Sequence, residues 1–330
     1  MREVADRAGV AMSSVSRVIS DHPDVSPAMR AKVLAAIDDL GYEPDLLAQS
    51  MRSGETRSVG FVVGDISNPL LAEIALGAET RLRRRNYSML LTNSENDPEL
   101  DSSRIRLYQQ RRVDGLLLSL AAEDHPATLA LLEDFEGPIV AVDRDLPSSV
   151  RASAVLSDHR TGMRAAAGHL LDLGHRRIDL IAGRPLRYTR EREAGLRDAY
   201  EDRRLEPTYR MFEGRLEAAH GQDATRTLLD ASEPPTAIIA GGNQLLGGVL
   251  TELARREIEV GKEMSLVSCD AIALTEFFSP PIAVIRRDTR ELGRRAAELL
   301  LQHLSGDETT QQVILPTEFV VRPSCAPPPA

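Results

Sequence analysis

The segment REVADRAGVAMSSVSRVIS (2–20) decides how this chain is read. Gly9 separates two short amphipathic stretches, so the segment folds back on itself as a helical hairpin. At ~100° per residue, Val15, Val18 and Ile19 gather on one side of the second stretch, while Met12, Ser13, Ser16, Arg17 and Ser20 gather on the other. The apolar side needs a partner helix. The other side carries small hydroxyls that permit close approach, and a guanidinium with the planar fork that fits a guanine edge. A third helix is expected next: Ser26 suits the N-cap, Pro27 the first helical position and Gly41 the C-terminal cap. Met29, Val33, Ile37 and Leu40 recur at helical spacing and are expected to close a three-helix core. The pattern is that of a helix-turn-helix module.

Outward from this module, GYEPDLLAQSMRSGETRSVGFVV (41–63) runs through a short hinge into an apolar strand. Strand-like runs follow at 58–64, 87–93, 114–120 and 138–142, and again at 178–183, 236–241, 264–269 and 282–286. Amphipathic helical stretches lie between most of them, which predicts parallel sheets covered by helices on both faces. Two series of similar length predict two doubly wound α/β lobes with a ligand cleft between them. The expected division is a headpiece and hinge over 1–57, a two-lobed core over 58–321, and a disordered tail, RPSCAPPPA, over 322–330.

Composition narrows the class. At 330 residues the chain can build several cores. No apolar run nears the ~18 residues that span a bilayer, and no secretory leader is visible, so a cytoplasmic protein is expected. The two cysteines, Cys269 and Cys325, form no ligand-spaced cluster, so neither a metal nor a disulfide framework is expected. Motifs for enzymes on such a core are missing: the sequence holds no Gly-x-Gly, no Gly-Lys-Ser/Thr loop, no Gly-x-Ser-x-Gly elbow and no His-Glu-x-x-His. No catalytic residue and no cofactor are expected. Net charge is −10, and residues 1–57 hold seven basic against nine acidic side chains. Phosphate contacts then depend on locally placed groups, with weak binding to random DNA as the consequence.

AGVxxxSVSRV and VSPxxR in the headpiece, with the hinge stretch 41–63, resemble the lactose-repressor (LacI/GalR) family of bacterial transcription regulators. The likeness continues, in order, through NPLLAEIALGAE (68–79), RVDGLLL (112–118), LGHRRIDLIAG (173–183), TREREAGLRDAY (189–200) and CDAIALTEFFSPPIAVIRRD (269–288). It implies lobes of periplasmic-binding-protein type that exchange chain near 157, 285 and 318. It implies base-choosing roles for Met12, Ser13 and Arg17, with Ser14 and Ser16 beside them as phosphate or base partners. Ala11 departs from the pattern, standing where a capping Ser is usual.

The resemblance further implies a hinge helix, capped by Asp45, that folds in the minor groove when two protomers meet on a near-palindromic operator. There Ala48 would allow close approach, Met51 would act as an apolar wedge, and Arg52 would reach the DNA backbone. Effector contacts are implied for Leu70, Leu71, Asp143, Arg192, Leu216, Asn243 and Asp270. Leucines stand at 70, 71 and 216 where stacking aromatics are frequent, and the loop RPLRYTR (184–190) is strongly basic. A small polar or anionic effector (sugar, sugar phosphate or carboxylate) is therefore expected rather than a flat purine. The competing reading is an ion-pair network joining Arg192 and Asp270. A homodimer is expected, since the Pro-rich tail has no heptad run for a further bundle. The rival for the whole chain is a solute-binding protein of the same fold with no DNA role. His175 reads as a surface or packing residue, and Phe277 and Phe278 as core or lobe-edge packing. Met1 lies almost at the start of the first helix, so a native N-terminus several residues earlier is expected.

Overall fold

The computed structural model describes residues 1–19, 22–42 and 54–329, and divides into compact units at Met1–Arg57 and Ser58–Ala330. The first unit is built from α1 (Arg2–Ala8), α2 (Met12–Ile19) and α3 (Pro27–Leu40). Gly9 takes the left-handed conformation (φ 65°), and the N–H groups of Gly9 and Val10 return to the Asp6 and Ala5 carbonyls, which stops α1. Ser26 Oγ accepts from the Met29 N–H at 3.3 Å to open α3, and Gly41 (φ 56°) closes it. Val4, Ala5, Val15, Val18, Val33 and Ala36 form the core. Leu40, expected in that core, is 43% exposed. Ile37 and Tyr42 on either side of it pack against the core instead.

The second unit holds two sheets. The first contains β1 (Ser58–Val63), β2 (Ser88–Asn93), β3 (Gly115–Ser119), β4 (Ile139–Val142), β5 (Ser153–Ser157) and β11 (Gln312–Leu315), ordered β11-β5-β4-β3-β1-β2. The second contains β6 (Ile178–Ala182), β7 (Met211–Glu213), β8 (Ala237–Ala240), β9 (Ser265–Ser268), β10 (Ala283–Arg287) and β12 (Thr317–Val320), ordered β12-β10-β9-β8-β6-β7. Pairing is parallel except where β12 runs against β10.

The covering helices are α4 (Pro69–Arg83), α5 (Pro98–Gln110), α6 (Pro126–Glu133), α7 (His159–Asp172), α8 (Arg187–Asp202), α9 (Ala218–Leu229), α10 (Asn243–Arg255) and α12 (Thr289–Leu304), with the short α11 (Ala273–Phe277) after β9. Helices α4 and α12 cover one face of the first sheet, and α5 and α6 the other. On the second sheet the pairs are α7 with α8 and α9 with α10. The α4–α12 contact brings backbones together: a Cβ built on Gly293 would lie 1.9 Å from the Ile74 carbonyl oxygen. Each lobe is thus an α/β sandwich whose inner strands are apolar and buried, with half-buried strands at the edges.

The chain passes between lobes after Ser157, after Arg287 and between Leu315 and Thr317. The tail departs from its expected disorder. Ser324 is fully buried, its Oγ donating to the Leu266 carbonyl (2.6 Å) and accepting from the Ala283 N–H (2.8 Å). The Ala326 N–H donates to Ser265 Oγ (3.0 Å), and the Ala326 carbonyl accepts from Ser265 Oγ. Prolines supply few donors of their own, so this segment meets its hydrogen-bonding needs on β9 and β10. His175 belongs to the same arrangement: it is buried, 2.8 Å from Thr236 Oγ1 and 2.8 Å from the Ala326 carbonyl. Phe277, expected to pack, is 85% exposed, whereas Phe278 packs against the α9–α10 core.

Candidate functional site

Two surfaces carry chemistry, one in each unit. On α2 the apolar residues Val15 and Val18 turn into the headpiece core. Met12 (54% exposed), Ser13 and Arg17 stand in solvent, with Ser14 and Ser16 half-buried beside them. One face of α2 thus packs on the headpiece core and the opposite face is left to solvent. Ala11 has no side-chain acceptor for the helix start, and its carbonyl takes the N–H groups of Ser14 (2.9 Å) and Val15 (3.2 Å). Ser20, Ala48, Met51 and Arg52 lie outside the described residues.

The second surface is a cleft at the carboxyl ends of the strands of both sheets, where parallel sheets leave room for a ligand. The space enclosed between the closed lobes is about 70 Å³, well below the ~300–1,000 Å³ usual for small-molecule sites, so a ligand of that size enters only if the lobes part. All seven residues singled out by sequence line it: Leu70, Leu71, Asp143, Arg192, Leu216, Asn243 and Asp270. Leu70 and Leu71 come from the first turn of α4, which Asn68 caps by accepting from the Leu70 N–H at 3.1 Å. With Leu216 they make the apolar part of the wall.

The carboxylates of the cleft are already engaged. Asp143 sits in the left-handed region (φ 51°), a conformation Asp tolerates better than most residues. It accepts from the Ser157 N–H (2.6 Å) and Ser157 Oγ (3.0 Å), pairs with Arg287, and has His159 Nε2 at 3.4 Å. Asp270 pairs with Arg287 Nη2 at 3.2 Å and accepts from the Asn243 N–H at 3.1 Å. Arg287, at the end of β10, therefore ties a first-lobe aspartate to a second-lobe aspartate. Burial pushes the Asp143 carboxyl up, but His159, the Arg287 guanidinium and the Ser157 N–H outweigh it and hold it far below the ordinary carboxylate range. Burial pulls His159 down to about 4 in spite of Asp143, helped by Arg192 and Arg287.

That shift has a stability consequence. His159 is neutral in the folded chain at neutral pH, whereas an unfolded histidine titrates near 6.5. Below that pH the unfolded chain takes a proton the folded chain refuses, so stability is lost as pH falls from about 6.5 towards about 4. His159→Gln is expected to flatten this part of the profile in urea denaturation at pH 7 and pH 4.5. Parallel losses in mutant and parent would refute it.

Arginines present the opposite situation. Arg192 donates from Nη1 to the Gly241 carbonyl (2.7 Å), and Arg144 donates to the Leu120 and Asp143 carbonyls. Neither is ion-paired to a carboxylate among the described residues, although both are at least 92% buried. Both guanidiniums lie near the Tyr188 ring, at 5.3 Å (Arg144) and 5.2 Å (Arg192) from its centroid. The ion pair weighed between Arg192 and Asp270 is not formed; Arg287 takes Asp270 instead.

The basic loop 184–190 serves a different end from the expected one. Arg190 pairs with Glu123 (2.9 Å) and Asp145 (2.9 Å), and Arg187 with Asp145 (3.2 Å). These contacts join the second lobe to the first. Across the cleft mouth, Asn243 Nδ2 donates to Asn68 Oδ1 (3.1 Å) and Gln244 Nε2 to Asp65 Oδ2 (2.6 Å). Backbone groups join them: the Arg187 N–H donates to Glu123 Oε1 at 3.1 Å, and Arg187 Nη1 donates to the Ser157 carbonyl at 3.0 Å. Sequence reading missed Tyr188, Arg144 and Arg287 in the cleft. Position after a strand end was the available signal for Arg144 and Arg287, but it needed the topology to be useful.

Comparison with known proteins places this geometry. The model of bacterial regulatory proteins of the lacI family matches residues 1–45, and that of the periplasmic binding protein-like domain matches 167–325. The HTH-type transcriptional repressor PurR of Haemophilus influenzae (strain PittEE) is 32% identical over 333 residues, covering 98% of both chains. The ribose operon repressor of Escherichia coli (strain K12) is 33% identical over 316 residues, covering 94% of this chain and 95% of its own. Among solved structures, the lac repressor dimer bound to operator and the anti-inducer ONPF superposes with a TM-score of 0.85 at 25% identity, over 98% of each chain. The complex of the transcriptional regulator CelR with cellobiose gives 0.74 at 29% identity, again over 98% of each. A helix-turn-helix headpiece, a two-lobed closed core and relatives matched nearly end to end agree: the chain belongs to the lacI family of bacterial regulatory proteins.

Proposed function

We propose that the chain is a cytoplasmic, homodimeric transcriptional repressor, a regulator rather than an enzyme, whose affinity for a near-palindromic operator is switched by a small effector in the cleft. One observation carries this reading: a single chain joins a headpiece with an exposed polar face on α2 to a core whose cleft holds two buried guanidiniums with no carboxylate partner among the described residues. Met12, Ser13, Ser14, Ser16 and Arg17 would read the major groove, and Ala48, Met51 and Arg52 the minor groove between half-sites. In the cleft, Arg192 and Arg144 would grip an anionic or oxygen-rich group. Leu70, Leu71 and Leu216 would cover the apolar face of that ligand, and Asn243 would report its presence across the mouth. Asp143 and Asp270 would act mainly by holding Arg287. Effector binding would alter the contacts that close the lobes, with a coupling of ~1–3 kcal/mol a typical scale.

A thermal-shift panel of sugars, sugar phosphates and carboxylates tests the cleft. A ligand that stabilises the parent should bind Arg192→Lys at least ~10-fold more weakly, since lysine keeps the charge but loses the planar fork. A response to purines alone, or equal binding by Arg192→Lys, would refute the assignment.

A further inference from the structure

An arginine cluster lies at the end of the first lobe opposite the cleft. The α4 helix ends at Arg83, and Arg84 and Arg85 continue into a tight turn closed by Asn86 (φ 58°), whose N–H donates to the Arg83 carbonyl at 3.0 Å. Helix α5 ends at Gln110 and is capped by Arg111. Both turns lead into strands that flank β1 at its amino end: Ser88 lies opposite Ser58, and Gly115 opposite Val59. Arg83, Arg84, Arg85 and Arg111 are all exposed. Arg83 has Glu79 at 3.6 Å, whereas Arg84, Arg85 and Arg111 make no ion pair with a carboxylate among the described residues.

The acidic residues at this end are set apart. Glu133, Asp134 and Glu136 precede β4, which is separated from β1 by β3. Asp114 is the acidic residue beside β1, its N–H donating to the Ser58 carbonyl at 2.8 Å. The arginines therefore stand on the turns that enter β2 and β3, on either side of the amino end of β1. Nothing in the hydrophobic core or in the cleft uses them.

Ser58 is also where the chain arrives from the headpiece, since Arg57 precedes it. That headpiece is short of positive charge, with seven basic and nine acidic side chains over 1–57. A DNA reader with a net negative headpiece needs cations from elsewhere, because neutralised phosphates and released counterions supply most of the non-specific affinity. Charges act on a polyanion over roughly a Debye length, ~10 Å at 0.1 M salt.

We propose that the strip Arg84–Arg85–Arg111 is a second DNA-backbone surface, placed on the effector-binding core and acting on phosphates of the bound operator. The proposal rests on the repressor reading above. It moves part of the electrostatic term from the headpiece to the lobe that the hinge joins, so operator affinity depends on the core itself and not only on headpiece spacing.

The test is the slope of log affinity against log salt for the full-length protein on its operator, for the parent and for Arg84→Glu/Arg85→Glu. The double variant should lower the magnitude of the slope by about one to two and weaken binding roughly 10-fold or more at 0.1 M salt. Arg84→Lys/Arg85→Lys should keep the parent slope. Arg197→Glu/Arg226→Glu, an equal charge change on exposed residues of the second lobe, should also keep it. Thermal midpoints report whether each variant folds, with Arg84→Gln/Arg85→Gln as a milder replacement, expected to lower the slope less. An unchanged slope in the strip variants overturns the proposal, whether or not dimerisation shifts. An equal change in the second-lobe control overturns it as well. If the parent shows no operator preference, the repressor reading itself fails and takes this proposal with it.

Discussion

Arg287→Ala is expected to lower the stability of the core by about 3–5 kcal/mol, the usual cost of removing one partner from a buried ionic network. The Arg287 side chain is 16% exposed, and its partners Asp143 and Asp270 are 6% and 4% exposed. Alanine would leave two carboxylates in the interior with their shared cation gone. Ser157 would still donate to Asp143, and the Asn243 N–H to Asp270, but neither supplies charge. The loss should also fall on lobe coupling, because Arg287 ends the strand from which the chain returns to the first lobe. Urea denaturation measures it. Arg287→Met combined with Asp143→Asn and Asp270→Asn should recover much of the stability, since burial without charge avoids the desolvation cost. A loss below ~1 kcal/mol for Arg287→Ala would mean that the network contributes little.

Arg17→Ala is expected to weaken operator binding by about 1–3 kcal/mol, roughly 5- to 150-fold, and to relax preference at one base pair in each half-site. Arg17 is exposed while Val15 and Val18 of the same helix are buried, so the headpiece should keep its fold. A uniform loss across all sequences would instead assign Arg17 to the phosphates. That result would show as a lower salt slope with unchanged specificity.

Local chemistry explains what could be read directly. The caps at Gly9, Ser26 and Gly41 follow from single residues whose conformational or hydrogen-bonding preferences act within one turn, and the structure has each of them. The eight apolar strand runs were equally clear, because strands buried on both faces need no alternation. Shorter strands escaped. Strand β7 has three residues, β5 is flanked by small polar ones, and β11 and β12 are divided by Pro316 alone while belonging to different sheets.

Long-range pairing was beyond the reach of pattern. The basic loop 184–190 looked like a ligand wall, yet Arg190 meets Glu123 and Asp145, dozens of positions upstream. Tyr188 gave no local signal at all, and Arg287 gave only its place after the run 282–286. The tail looked unstructured because prolines and small residues usually are, and its order comes from Ser324 and Ala326 bonding to β9 and β10. The seven cleft residues came from family resemblance rather than periodicity. That likeness brought them to one cleft, while the engagement of Asp143 and Asp270 by Arg287 could be seen only in three dimensions.

Fluorescence anisotropy of the full-length protein on DNA from upstream of its own gene, against unrelated DNA across a salt series, tests the central claim most directly. The expected result is salt-sensitive binding to a near-palindromic upstream segment, weak binding to unrelated DNA, loss in Arg17→Ala and Met51→Gly, and a shift on adding the ligand found by the thermal-shift panel. Equal affinity for upstream and unrelated DNA, with or without that ligand, would contradict it.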